Sequence, residues 1–545
     1  MVSKNIIYKC FIGVIVAQSI NIQAQTKTAP AVKPKIAAAA VNKPAAKPVD
    51  MDDPIAVANM KFEAKNYEDA LADYLKLLEG NEKNAFYNFR VGACYVETNL
   101  DKLKAKTFIE LAITEPNVDK SLLYYYAKSL TFHLEFDKAT EQFKKYLATP
   151  AGKAMEKEVQ HKIDRCQNGK ELVKFPIAVT FENLGKEINS PFADYSPFIS
   201  EGENFLMYNS LRPDNSVKKS DGKYASNVYI SEVKDGKWQQ GEDIGENVNT
   251  KEGDEEIVGV CADGNTLIFS FDNKEGKGDV FVGPKMDNQI LKPFKVNPNI
   301  NGAKSEESSA SISPDGKTLY FSSNRPGGLG GFDIYRTRVL PNGEWGEAYN
   351  LGPDVNTALD DDFPNISLDG YTLYFSSKGH NSMGGYDIFK SEILPDTLNF
   401  GPAKNIGYPI NTPFDDKNLC MSDKGRYGYM AALRKEGQGD LDVYRLIFKG
   451  VDAELTVVKG YLKVNKTDKI PANAMIEVFE AKSNNTFGQY KVNAQTGKYV
   501  MILPPGKYYI EVRSLGYKAH SEDLIILDKG SFVPTMEKDM NLLPE

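Results

Sequence analysis

The sequence predicts a multidomain chain made of an α-helical repeat solenoid, a five-bladed β-propeller and a small β-sandwich, and three observations carry that prediction. Between residues 189 and 450 one stretch recurs five times, most clearly as SISPDGKTLYFSSNRPGGLGGFDIY from Ser311 and NISLDGYTLYFSSKGHNSMGGYDIF from Asn365. Asp315 and Asp369, Leu319 and Leu373, Gly331 and Gly385, and Asp333 and Asp387 all stand 54 apart, the period of a four-stranded blade. Before this region two alanine series repeat at 34 or 35 residues, and after it apolar and polar residues alternate in strand fashion.

Residues 1–25 read as a secretory signal, with Lys4 and Lys9 ahead of the apolar run Cys10 to Ala17 and a polar stretch ending near Ala24 and Gln25. Cys10 opens the apolar run and does not follow a small-residue pair at its end, so a lipid-modified amino terminus is not expected. Residues 26–50 mix Ala, Pro and Lys without an aromatic residue and read as a solvated linker. No later segment offers the ~18 apolar residues of a membrane span. The net charge of -8 excludes a nucleic-acid partner, because phosphate binding needs a basic stripe. Cys94, Cys166, Cys261 and Cys420 are dispersed without a CxxC pair, and the four histidines are scattered. Buried thiols are expected, with no metal site and no cofactor.

Residues 51–172 form the helical block. Ala58, Ala93 and Ala127 are 35 and 34 apart, and Ala70, Ala105 and Ala139 repeat those spacings twelve residues further on. Two offset series at one period mean paired helices. Tyr74, Ile109 and Phe143 fill the gap four residues after the second alanine of each pair, and Pro116 and Pro150 end two of the units. The block resembles three tetratricopeptide repeats, with residues 151–170 as a capping helix. That resemblance places Asn59, Phe62, Arg90, Glu97, Tyr124 and Lys128 on the wall of a concave groove. Two readings stand, a peptide-binding groove and an inter-domain packing surface. The pattern by which some members of that family clamp a peptide carboxylate is only partly present, since Cys94 stands where a second Asn is wanted.

In the propeller region, 173–450, each unit carries a hairpin turn (Glu201-Gly202, Asp263-Gly264, Asp315-Gly316, Asp369-Gly370, Lys424-Gly425) and then a third strand beginning DIY or a variant of it. Asn-rich connections follow at 245, 297, 352 and 407. The last unit lacks an outer strand and an orphan copy of one precedes the first unit, so residues 175–183 are expected to pair with the sheet containing Tyr444 and close the ring. Asp333, Asp387 and Asp442 are expected to accept local backbone N–H bonds. The connections between units carry the acids Asp194, Glu256, Glu307, Asp362 and Asp416, and the loops after the second strands carry Arg212, Lys274, Arg325, Lys378 and Arg434. Both sets fall on one face. They form either acid-to-base pairs tying each blade together or a charged docking face with Arg325 as its anchor. The region resembles the propeller of TolB and its WD-repeat-like relatives, carried by SPDGK at 313 and GGFDIY at 330.

Residues 455–541 alternate strictly from Tyr499 to Leu503 and from Tyr508 to Val512 across Pro504-Pro505-Gly506, a hairpin of a small sandwich. With Gly460, Pro471, Gly497, Gly516 and Tyr517 they resemble the carboxypeptidase regulatory-like domain, which implies a transthyretin-like sandwich. No HxxE or GxSxG motif accompanies it, and the expectation is that the chain is not an enzyme.

The domain order resembles that of Bacteroidetes envelope proteins that accompany type IX secretion or gliding motility, members of which commonly continue into an OmpA-like peptidoglycan-binding domain. KDMNLLPE from Lys538 resembles the lead-in to it, and the chain stops there, so any peptidoglycan contact is expected to be indirect. The resemblance implies a non-catalytic periplasmic scaffold near the outer membrane. Its partners would be envelope proteins, an outer-membrane barrel or secretion and gliding components, held by Asn59, Arg90, Tyr124 and Lys128 and by the five basic loop residues. The alternative is a module binding a glycan or peptide ligand.

Overall fold

The computed structural model describes residues 52–545 except 116–118, 201–202, 215, 220–221, 235–236, 252, 262–263, 273–277, 287–288, 369, 395–398, 423–426, 449–454, 465–468, 482–484, 505 and 527–534. The signal and linker of residues 1–50, Pro116, Lys274, Pro505 and the turn residues Glu201, Gly202, Asp263, Asp369, Lys424 and Gly425 lie outside the described residues.

Asp53 accepts from the Ile55 N–H at 2.9 Å and Pro54 takes the first helical position, which together start α1 (Pro54–Glu63). It is followed by α2 (Tyr67–Leu78), α3 (Ala85–Glu97), α4 (Ala105–Ala112), α5 (Leu122–Phe132), α6 (Phe136–Leu147), α7 (Pro150–Ala154) and α8 (Glu156–Leu172). The helices pack in sequence order, α1 on α2, α3 on α4, α5 on α6, with α8 against α6. Ala58, Ala70, Ala93, Ala105, Ala127 and Ala139 are all fully buried. A Cβ on Gly92 would stand 2.5 Å from Ile109 Cγ1, so α3 and α4 approach too closely for any larger residue there.

The expected fold class is corrected here. The described residues hold eight helices of 5 to 17 residues against thirty-one strands, and the chain is mostly β. The helices form a short layer pressed on the strands, and a tetratricopeptide-repeat solenoid is not present. The physical reason is that a small residue at a regular period marks where two helices approach closely. It does not set how many pairs stack, or on what.

The first four blades run outward in sequence order. Their strands are β2 (Asp194–Ile199), β3 (Phe205–Ser210), β4 (Asn227–Lys234) and β5 (Lys237–Trp238), with β6 (Glu242–Asp243) also on β4. Next come β7 (Asp254–Val260), β8 (Thr266–Asp272), β9 (Gly278–Met286) and β10 (Gln289–Ile290), with β11 (Phe294–Lys295) also on β9. The third blade is β12 (Glu307–Ile312), β13 (Thr318–Ser323), β14 (Asp333–Arg338) and β15 (Tyr349–Asn350), and the fourth is β16 (Asp361–Ile366), β17 (Thr372–Ser377), β18 (Asp387–Glu392) and β19 (Lys404–Asn405). The fifth takes β20 (Lys417–Met421), β21 (Tyr427–Ala432) and β22 (Asp442–Phe448) from one end of the region and β1 (Val179–Asn183) from the other. β1 pairs antiparallel with β22, Val179 opposite Phe448 and Asn183 opposite Tyr444, so the orphan strand closes the ring as its sequence predicts. The inner strands touch round a full circle, β2 meeting both β7 and β20.

Each blade places an aromatic or Met residue of its second strand opposite an aromatic residue of its third: Tyr208 and Tyr229, Phe269 and Phe281, Phe321 and Tyr335, Phe375 and Phe389, Met430 and Tyr444. These cross-strand pairs are the repeating unit of the core. Three of them stack with ring centroids 5.9 Å apart.

The C-terminal strands are β23 (Thr456–Val464), β24 (Met475–Glu480), β25 (Thr486–Lys491), β26 (Lys498–Leu503), β27 (Gly506–Arg513), β28 (Tyr517–Lys518), β29 (His520–Ile526), β30 (Thr535–Glu537) and β31 (Met540–Pro544). They form two sheets, β26-β23-β31-β28 with β30 beside β23, and β25-β24-β27-β29, closed over Val458, Ile476, Met501, Ile510 and Leu542. This part reaches the propeller where Lys491 Nζ lies 5.3 Å from the Tyr371 ring, at the hairpin turn between β16 and β17.

The helical layer sits at the opposite end of the blades. Arg165 of α8 donates to the Lys378 carbonyl at 2.8 Å and Asn168 to the Ser382 carbonyl at 2.9 Å. Phe132 packs on Phe414 at 5.1 Å, Met383 joins the α6 to α8 core, and Lys218 lies 3.8 Å from Asp69. Loops of the first and fourth blades and the connection into the fifth are therefore engaged by the chain's own helices.

Candidate functional site

One asparagine side chain per connection does what a missing strand would do. Asn189 accepts from the Val443 N–H at 2.8 Å and donates to its carbonyl at 3.0 Å, which ties the fifth blade to the first. Asn249 does the same to Val228, Asn301 to Val280, Asn356 to Ile334 and Asn411 to Ile388, at 2.7 to 2.9 Å throughout. An amide side chain has one donor and one acceptor in the geometry of a peptide group, so it pairs with the third strand as another peptide would. The connections are legible in the sequence as Asn-rich. The role of this one Asn in each was missed, and its recurrence just before Ser, Thr or Gly in all five was the available signal.

The next repeated group is an acid at the start of each inner strand that accepts from the backbone of the turn before it. Asp194 takes the Ser190 N–H at 2.6 Å, Glu255 that of Thr250 at 3.0 Å, Glu307 that of Gly302 at 3.1 Å, Asp361 that of Thr357 at 2.5 Å and Asp416 that of Thr412 at 2.6 Å. In the second and fourth blades this acid is Glu255 and Asp361, one residue ahead of the expected Glu256 and Asp362. Neighbours on a strand face opposite ways, so the shift matters. Glu256 and Asp362 turn instead to the neighbouring inner strand, where the Tyr195 hydroxyl donates to Glu256 at 2.6 Å and the Ser308 and Ser309 hydroxyls donate to Asp362 at 2.8 and 2.6 Å. Burial, with Asp254 and Asp362 nearby, raises the Glu256 carboxyl above its ordinary range against the Tyr195 bond.

Of the two readings of the basic loop residues, Arg212 with Asp194 and Arg325 with Glu307 take the acid-to-base pairing that ties a blade together. Arg212, 7% exposed, spans the Ser210 hydroxyl, the Ile188 carbonyl and Asp194 at 2.6 Å, over the Tyr229 ring at 4.4 Å. Arg325 repeats this on Ser323, the Ile300 carbonyl and Glu307, with its guanidinium 4.8 and 4.9 Å from Phe321 and Tyr335. Arg434 donates to the Pro409 carbonyl at 2.7 Å and lies 3.7 Å over Phe181 of the closing strand. In the fourth blade His380 takes this place, its Nε2 at 2.8 Å from the Val355 carbonyl beside Phe375 and Phe389, while Lys378 pairs with Asp360 at 2.7 Å. A guanidinium has donors enough for a carbonyl, a hydroxyl and a carboxylate at once and a flat face for the aromatic pair, which is why Arg recurs here. Asp333, Asp387 and Asp442 each accept two loop N–H bonds, from Leu329 and Gly330, Met383 and Gly384, and Gln438 and Gly439.

The expected groove residues divide into two groups. Tyr124 donates to Glu158 at 2.8 Å and Lys128 to Glu97 at 2.7 Å. This end faces the propeller: Lys102, pushed down to about 8 by burial and by Lys128, lies within reach of Asp415 and Asp440, and burial with Lys128 and Arg165 lowers Lys162 to about 8. Asn59 accepts from the Tyr74 hydroxyl at 2.6 Å. Arg90 lies 4.3 Å from the Phe62 ring, 5.3 Å from Phe86 and 5.8 Å from Phe89, and opens on a cleft of about 380 Å³. Among the described residues no cluster of His, Cys, Asp and Glu is arranged to hold a metal, and no helix is long and apolar enough to cross a membrane.

No protein-family model matches the chain, and no curated protein does. Among solved structures it is similar to a protein described as a TolB from Agrobacterium tumefaciens, at 13% identity over 66% of this chain and 92% of that one, with a TM-score of 0.30. A gluconolactonase from Xanthomonas campestris matches at 12% identity over 50% and 95% of the two chains, TM-score 0.27. A glycoside hydrolase matches at 9% over 51% and 94%, TM-score 0.35. Likeness at these scores assigns no activity, and the propeller rests on its own sheet topology. The expectation that the chain is not an enzyme is corrected to this extent, that the solved structures it is similar to include a gluconolactonase and a glycoside hydrolase.

Proposed function

We propose that the chain is a periplasmic binding and bracing module, an adaptor that holds envelope proteins beside the outer membrane, in a machine of the type IX secretion or gliding kind. The observation that carries this reading is the ring itself. Five Asn latches and three buried or half-buried arginines give it one rigid shape, and its own helices engage the loops of only part of one face. The arc around Arg325 is left for a partner, with Leu329 half exposed beside it in the NRPGGLGG loop. An exposed apolar residue on a preorganised loop, rimmed by polar groups, suits a protein contact. A photo-reactive residue at Leu329 should cross-link a discrete envelope protein in intact cells, and one at exposed Leu515 of the C-terminal sheets should not capture the same band. Absence of any product at Leu329, or the same product at both sites, would defeat the adaptor reading. A peptide-ligand reading is favoured separately by the cleft beside Arg90.

A further inference from the structure

We infer that the cleft beside Arg90 is a site for a short zwitterionic peptide, a free dipeptide or tripeptide carrying both its carboxylate and its ammonium. The inference rests on the reading of the helical layer as a binding surface and not on the propeller arc. Three observations carry it. First, the cleft sets opposite charges on its walls, Lys83 just ahead of α3 and Arg90 within it, Glu115 and Asp119 from the connection between α4 and α5. Second, those charges are not spent on one another. Among the described residues Lys83, Arg90 and Glu115 make no side-chain hydrogen bond or ion pair, and the Arg90 Nε is buried without a partner. Third, the cleft is floored by rings, Phe86 and Phe89, with Phe62 behind the guanidinium.

An unpaired buried donor costs stability unless a ligand or water completes it, and Arg90 packs against three rings with its Nε unsatisfied. A carboxylate is the complement of a guanidinium edge, because a planar fork of N–H donors accepts it in two bonds. Across a cleft of about 380 Å³, at the small end of ligand pockets, the opposite wall then offers acids to an ammonium, and the rings cover an apolar side chain. A purely anionic ligand would leave Glu115 and Asp119 facing it, and a purely cationic one would meet Arg90 and Lys83. The zwitterion satisfies both walls at once.

The test is calorimetric titration of the full chain with the dipeptide Ala-Phe, with N-acetyl-Ala-Phe and with Ala-Phe amide. Saturable binding of the free dipeptide is expected, with each capped form at least tenfold weaker. Arg90→Gln should abolish binding and Arg90→Lys should restore part of it. Glu115→Gln, at an exposed position where folding is not at stake, should weaken the free dipeptide and leave the acetylated one unchanged. No binding of the free dipeptide, equal binding of all three probes, or indifference to Glu115→Gln would overturn the inference. None of those results touches the Leu329 cross-link, so the two proposals fail separately.

Discussion

Replacing Asn356 with Ala should destabilise the propeller by about 3 kcal/mol, and the figure follows from where its bonds go. Asn356 is buried, accepts from the Ile334 N–H at 2.8 Å, and donates to the Ile334 carbonyl and to Asn350 Oδ1, both at 2.9 Å. The Ile334 carbonyl keeps a second bond, from the Leu351 N–H at 3.1 Å, so the substitution orphans chiefly the Ile334 N–H, in a strand with no access to water. An orphaned buried donor costs about 1–3 kcal/mol, and the two lost bonds to carbonyl-type acceptors add about 1 kcal/mol each at most. The chain's two tryptophans, Trp238 on β5 and Trp345 bridged to Val339, both belong to the propeller. Tryptophan fluorescence in urea therefore reads the propeller transition apart from the helices and the C-terminal sheets. Asn342→Ala, at an exposed turn where the side chain meets only Glu344, is the control and should fall within about 0.5 kcal/mol of the parent. If Asn356→Ala were as mild as Asn342→Ala, the latch would not be what holds the blades in register.

Burial lifts the Asp361 carboxyl to about 7, and its Oδ1 has no partner, so it is placed to carry a proton. Its folded-state value lies above its ordinary one near 4, hence its contribution is fullest below that and is lost as pH rises through 7. Asp361→Asn should flatten the fall in melting temperature between pH 5 and pH 8, and an unchanged slope would assign the titration elsewhere. Phe181→Ala removes the ring that Arg434 covers at 3.7 Å on the closing strand, and should cost about 2 kcal/mol, somewhat under the usual range for a fully buried Phe. It should also raise self-association, seen by light scattering, as β1 frays from the edge of β22. Arg165→Ala should leave far-ultraviolet circular dichroism unchanged and speed tryptic cleavage after Lys174 several-fold, because the helical layer loses its bond to the Lys378 carbonyl.

The parts of this structure readable in advance are those that a local pattern fixes. The 54-residue period shared by the third and fourth blades, and the orphan strand ahead of the first, were enough to predict that residues 175–183 pair with the sheet containing Tyr444, which they do with Val179 opposite Phe448. Asp333 and its counterparts were also legible, because an acid three or four residues past a glycine turn has few places to bond except that turn. What failed was anything decided by a shift of one residue or by another layer. Every inner strand is irregular in its pairing with the second strand, and Ser196, Phe363 and Asn418 lie at positive φ, so the alternation of side chains slips and Glu255 takes the place expected of Glu256. Whether the bases pair within their own blade or face outward stays open in the sequence, because spacing alone does not show that a carbonyl, a hydroxyl and a ring wait around Arg212 and Arg325. The alanine period showed helix pairs and nothing of the loops they would engage, so Tyr124 and Lys128 could not be separated from Arg90.

The helical layer is clamped to the propeller, and that contact is what makes one half of the groove structural and leaves the other half open. A cysteine pair at Phe132 and Phe414, whose rings lie 5.1 Å apart, bridged by a short thiol-specific cross-linker in dilute solution, addresses this directly. Near-complete intramolecular cross-linking is expected, at a rate that does not depend on protein concentration, and no such product is expected for a pair at Phe86 and Phe414. Slow or concentration-dependent cross-linking at Phe132 and Phe414, or equal yields from the two pairs, would mean that the helices and the blades do not form one body.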